Sequence, residues 1–194
     1  MRTLITLSLV LLSATSFCQD YNALKQQLES MNRSDQELRI LLDSLVRKEK
    51  RSWDHPSIQE LLPKAARQDS ANLATLKVIL DQHGWPGIGQ VGKLANQTAF
   101  LIIQHADSAT MVRYFPLLAQ SYELGQSEPQ HYAMMLDRIL TDKNEKQIFG
   151  TQLQRDDKTG TFFPFPVADE KGLDNRRKKM GLPPMKEYLG SFNK

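Results

Sequence analysis

Cysteine is almost missing from this chain. Among 194 residues there is one, Cys18. Everything after it therefore lacks disulfides, thiol catalysis and Cys-ligated zinc or iron–sulfur sites. Charge of one sign is also lacking. Twenty-five Lys and Arg face 22 Asp and Glu, a formal net charge of +3 that falls to +2 without Arg2. So mild an excess supplies neither the basic stripe that nucleic acid requires nor a polybasic membrane patch. No apolar run reaches the roughly 20 residues of a membrane span. Walker-type loops, Gly-x-Ser-x-Gly and His-Glu-x-x-His are absent. No internal repeat, low-complexity tract or linker divides the chain.

What is present begins with a leader. Arg2 precedes an apolar stretch from Leu4 to Leu12, and Ser16 and Cys18 are small residues at −3 and −1 of a cut before Gln19. Residues 1–18 are thus expected to direct export to the periplasm or medium and to be removed. A lipid anchor on Cys18 is the second reading, disfavoured because Phe17 stands where the lipoprotein peptidase takes Gly, Ala or Ser. Residues 19–194 suffice for one domain held by its own core.

Apolar spacing of three and four predicts helices through most of that domain. Leu24, Leu28, Met31, Leu38, Leu41, Leu42 and Leu45 carry a helix over 21–50, with a break expected near 32–34 because Ser34 and Glu37 form a capping box. A second capping box at Ser57 and Glu60, then Pro63, precede a helix over 65–82 that stops at Gly84. After a Gly/Pro loop, 91–106 is apolar nearly all round, as a central helix is. Further helices are expected over 108–124, kinked at Pro116, and from Ser127 to about Leu140. The pattern then changes to a β-hairpin, with arms 147–154 and 161–167 around a polar turn. Pro164 and Pro166 confine the second arm to an edge. A short helix ending at Gly181 and a last turn to Leu189 close a mainly α fold with a small C-terminal β-hairpin.

Gly87-Ile88-Gly89-Gln90-Val91-Gly92 has the letters of a dinucleotide fingerprint. Its context is wrong, since the glycines must follow a strand and this stretch follows a helix. A helix-joining loop is the expected use, and no cofactor is assigned.

The chemistry-bearing residues fall in short polar blocks at the ends of apolar runs. His105 ends the central helix, where the helix dipole raises its basicity. Asp107 could orient it or cap the next helix. The pair would serve as general base or acid with its orienting partner. Gln104 lies on the same helix and needs hydrogen-bond partners. Asp137 and Arg138 read either as a salt bridge joining helix to hairpin or as clamps on an anion. His83, Gln152 and Arg177 complete the candidate substrate-binding set, and Arg176 or Arg177 could turn inward onto Asp174 or Asp137. His131 shares a helical face with Arg138. His105-x-Asp107 alone is too little for a zinc site, which needs three ligands, so no metal is assigned.

The blocks Asp35-Gln36-x-x-Arg39, Gly84-Trp85-Pro86, Gln104-His105-Ala106-Asp107, Asp137-Arg138, Gln147 with Gly150-Thr151-Gln152, Arg176-Arg177, Gly181-Leu182 with Pro184, and Tyr188 resemble the bacterial domain-of-unknown-function family 6624 over about residues 34–190. Phe149 departs from the family's Tyr. The resemblance implies one domain and supplies no reaction. The residues themselves favour an enzyme, hydrolytic in type, acting on a polar or anionic small molecule or peptide. A binding module without chemistry and a structural module are the alternatives.

Overall fold

The computed structural model describes residues 3–193, with side chains for 21–46 and 48–193. The expected leader at 1–18 lies outside the residues described with side chains. The chain forms two compact units, Met1–Ile102 and Ile103–Lys194. Seven α-helices and one two-stranded antiparallel sheet are present among the described residues.

In the first unit, α1 (Thr3–Asp43) continues into a single π-turn, Ser44–Lys48, and packs on α2 (Pro56–His83). Leu24, Leu28, Met31 and Leu45 form the buried stripe of the first helix, and Ile58, Leu76, Ile79 and Leu80 that of the second. The break expected near 32–34 does not occur. Ser34 Oγ bonds back to Met31 O at 3.0 Å, so it sits inside a helix rather than capping one. Ser57 is likewise not the cap. His55 takes that position, accepting from Ser57 N–H, with Pro56 at the first helical residue. Pro63 lies within α2, exposed, and does not end it. Asp35, buried, holds Arg39 at 2.9 Å, and Arg39 reaches Asp69 of α2 at 3.0 Å.

The third helix, α3 (Ile88–Gln104), starts earlier than expected and carries a kink at Gly92, where φ is 82°. Only glycine adopts that region without strain. The Gly-rich stretch follows α2 and is itself helical from Ile88. Val91, Ala95, Ala99, Phe100, Ile102 and Ile103 are all buried, in keeping with a central helix.

The second unit holds α4 (Ser108–Glu123), α5 (Pro129–Asp142), β1 (Leu153–Arg155), β2 (Phe162–Pro164), α6 (Leu173–Lys179) and α7 (Met185–Phe192). Helices α4 and α5 pack together, with the Tyr132 ring of α5 against Phe115 and Tyr122 of α4; Met111, Tyr114 and Leu118 are buried on α4 and Ala133, Met135 and Ile139 on α5. Ala133, Phe149 and Met180 form a further cluster, flanked by Tyr122, Tyr132 and Leu136. Ser127 does not cap α5; Glu128 occupies that position and Ser127 bonds Ser121. The hairpin forms where expected but its strands are three residues each, registered Leu153↔Pro164, Gln154↔Phe163 and Arg155↔Phe162. Asp156 builds the turn by accepting from Lys158 and Thr159 N–H.

Candidate functional site

Four of the polar blocks meet around one loop, 147–152, which leads from α5 into β1. Asp137 is fully enclosed on α5. Its Oδ1 accepts from the N–H of Ile148 at 2.7 Å and of Phe149 at 3.0 Å. Its Oδ2 accepts from Thr151 N–H and Thr151 Oγ1, both at 2.9 Å. Successive backbone N–H groups that converge in this way make an anion nest, and here the anion is the protein's own carboxylate.

The carbonyl side of the loop is held by cations. Arg177, also fully enclosed, donates from Nη1 to Phe149 O at 2.7 Å and Gly150 O at 3.2 Å, and from Nε to Pro183 O at 2.7 Å. Arg176 donates from Nε to Ile148 O at 2.9 Å and pairs with Asp169. The ring of Tyr188 lies 4.7 Å from the Arg177 guanidinium carbon, and its hydroxyl donates to Thr151 O at 3.0 Å. Burial lowers the pKa of Arg177, while Tyr188, Asp174 and Asp137 raise it. Among the described residues Arg177 forms no ion pair, and its Nη2 has no hydrogen-bond partner. The inward turn expected of one Arg thus occurs at Arg177. Its acceptors are carbonyls rather than Asp174 or Asp137.

Gln147 closes the loop on itself. Its Oε1 accepts from Gln152 N–H at 2.9 Å, and its Nε2 donates to Gln152 O at 3.0 Å and Phe165 O at 2.8 Å. Gln152 turns its own amide to Thr151 Oγ1 at 3.1 Å. Gly150 sits at φ 67°, and a Cβ there would meet Met185 Sδ at 3.3 Å and Leu173 at 3.5 Å. A side chain would therefore be strained twice over. Phe149 is buried in the Ala133–Met180 cluster, so an apolar ring suits the place where the family pattern has Tyr.

The chain belongs to the family of unknown function DUF6624, whose model matches residues 22–193. No curated protein and no solved structure matches it. The DUF6624 blocks Asp-Arg, Gly-Thr-Gln and Arg-Arg are thus spatial neighbours in this chain, and Asp137, Gln152 and Arg177 are brought together.

Gln104, His105 and Asp107 fall at the junction of α3 and α4. Asp107 is the N-cap of α4, accepting from Thr110 N–H at 2.8 Å and Thr110 Oγ1 at 2.9 Å with its two oxygens. His105 is exposed just beyond the end of α3. Gln104, the last residue of α3, is half-buried with its Oε1 enclosed and unbonded among the described residues. Arg138, half-buried, makes no side-chain hydrogen bond or ion pair among the described residues, so the expected Asp137–Arg138 bridge gives way to backbone donors. His83 belongs to the first unit. It is exposed at the end of α2, beside a groove of about 530 Å³ lined by Leu24, Gln27, Val78 and Ile79.

Sequence reasoning left Thr151 and Tyr188 outside the candidate set, although both lie in the quoted blocks. The signal was their position among residues that could bond backbone. Of His131, buried on α5, the sequence showed only the helical face it shares with Arg138. Burial lowers its pKa to about 4, with Glu128 opposing. Groups of three or more metal-capable side chains are absent among the described residues. No helix there is long and apolar enough to cross a membrane.

Proposed function

We propose that this chain is an exported interaction module without chemistry of its own, whose polar blocks hold a rigid loop and hairpin for presentation to a partner. One observation carries the reading. The carboxylates best placed for catalysis are already engaged by the protein itself, the enclosed Asp137 by the N–H groups of Ile148, Phe149 and Thr151 and the Thr151 hydroxyl, and Asp107 by the N–H and hydroxyl of Thr110. A general base needs a lone pair aimed at substrate, whereas these carboxylates accept from N–H and hydroxyl groups of their own chain. The leader pattern of residues 1–18 supports export. The enzyme reading rests on His105, which is exposed and close in sequence to Asp107.

The test is a panel of ester, phosphoester and peptide surrogates offered to residues 19–194, alongside His105→Ala. The module reading expects no turnover above background in either protein, with equal melting temperatures. Turnover that vanishes in the correctly folded His105→Ala variant would restore the enzyme.

A further inference from the structure

The outer edge of β2 is filled by the chain's own C-terminus. Asp156 N–H bonds Thr161 O and Phe165 N–H bonds Gln152 O, so in this register the N–H and C=O of Phe162 point away from β1. Such a residue is an opening to any additional strand. Here Phe162 N–H donates to Asn193 Oδ1 at 2.7 Å, and Asn193 Nδ2 donates to Phe162 O at 2.9 Å. A primary amide carries a donor and an acceptor side by side. It therefore meets Phe162 as one residue of a third strand would.

The rest of the edge explains why one side chain suffices. Pro164 is the next outward-facing residue of β2 and has no N–H to offer. Within β2, Phe162 is thus the residue that can both donate and accept on this edge. Asn193 is aimed by an aromatic stack. Phe192 lies 5.7 Å from the Phe162 ring and 5.1 Å from that of Tyr188, which is itself bonded to Thr151.

We propose that Asn193 is an intramolecular edge guard that keeps Phe162 from pairing with β2 of a second copy of this chain. An antiparallel β2–β2 pair centred on Phe162 satisfies the same two groups reciprocally. It also brings the 41 % exposed Phe163 of each copy onto one face of the joined sheet. The guard substitutes an internal contact for that association.

The experiment uses the full mature chain with Asn193→Ala. Amide exchange at Phe162 is followed at low protein concentration, and mass by light scattering over a concentration series. Exchange about tenfold faster than in wild type is expected, because a single lost latch opens a local unit rather than the fold. A concentration-dependent dimer, weaker or absent in wild type, is also expected. Adding Phe163→Lys to Asn193→Ala should return the monomer by placing like charges across the new pair. Three results overturn the proposal: unchanged exchange at Phe162, a mass indistinguishable from wild type at every concentration, or a dimer that persists with Phe163→Lys.

Discussion

Aspartate and arginine occur in both units, in opposite settings. In the first unit, Arg39 bridges Asp35 and Asp69 with its side chain 35% exposed and Asp69 46% exposed. In the second, Asp137 and Arg177 are enclosed, and their hydrogen bonds run to backbone atoms on either side of one loop. The Arg39–Asp69 contact, partly exposed on both sides, exchanges water for a partner of similar quality, so its net worth is small. The second arrangement replaces the lost hydration of two buried charges with eight contacts to N–H, hydroxyl and C=O groups. Removing either member leaves several enclosed groups unsatisfied. Similar residue types thus link side chain to side chain at a partly exposed helix pair in one unit and frame a loop from within in the other.

The sharpest way to break this contrast is Asp137→Ala, which strands the N–H groups of Ile148, Phe149 and Thr151. A loss of roughly 3–5 kcal/mol is expected from denaturant unfolding, because each enclosed N–H left unpaired costs about 1–3 kcal/mol. A loss below about 1 kcal/mol would show that the loop is held by other means.

His131 gives the next effect. Its folded pKa is about 4 against an ordinary 6.5, so the unfolded chain takes up a proton that the folded one refuses. Stability is therefore intact above pH 6.5 and falls as pH drops towards 4, by roughly 3 kcal/mol at about 1.4 kcal/mol per pKa unit. Urea melts at pH 7 and pH 4.5 in wild type and His131→Leu measure it, and the variant should lose that part of the dependence.

Gly150→Ala tests the loop's backbone. It forces a side chain into φ 67° against Met185 and should cost about 1–3 kcal/mol. Asp69→Ala, in the first unit, should cost less than about 1 kcal/mol and be insensitive to salt once removed. If Asp69→Ala rivalled Asp137→Ala, the distinction between exposed and enclosed charge would not hold.

Much of the helical fold was readable because its cause is local. The three-and-four spacing of Leu24, Leu28 and Met31 marks a buried stripe whatever that stripe meets. The nearly all-round apolar character of 91–106 marked a central helix, and Val91, Ala95, Ala99, Phe100, Ile102 and Ile103 are buried; Pro164 confined β2 to an edge. Capping was less legible. Ser34-x-x-Glu37 has the letters of a cap, yet the stripe continued through it and tertiary burial kept the helix whole. Ser57 was displaced because Pro56 took the first helical position. In both cases a weak local preference, about 1 kcal/mol, competed with packing or proline geometry.

For the candidate site, the chain order of the blocks was legible and their use was not. Asp137, Gln152 and Arg177 were marked as polar residues that had to be satisfied, and they do converge. An Asp in a sequence carries no sign of whether its partner is a substrate, an arginine or a row of N–H groups. The expected bridge to Arg138 failed because adjacent residues on a helix point about 100° apart, so a side chain turned to the loop takes its neighbour away from it.

What the sequence alone determined is therefore the helix faces, the position of the hairpin, the near-total absence of cysteine chemistry and the membership of DUF6624. These depend on periodicity and composition, which need no third dimension. The tertiary structure alone decided that Asp137 and Arg177 grip opposite sides of one loop, that Asp107 is a cap, and that Asn193 covers the edge of β2. Those outcomes depend on which backbone groups the fold leaves without partners, and that is known only once every helix and strand has taken its own.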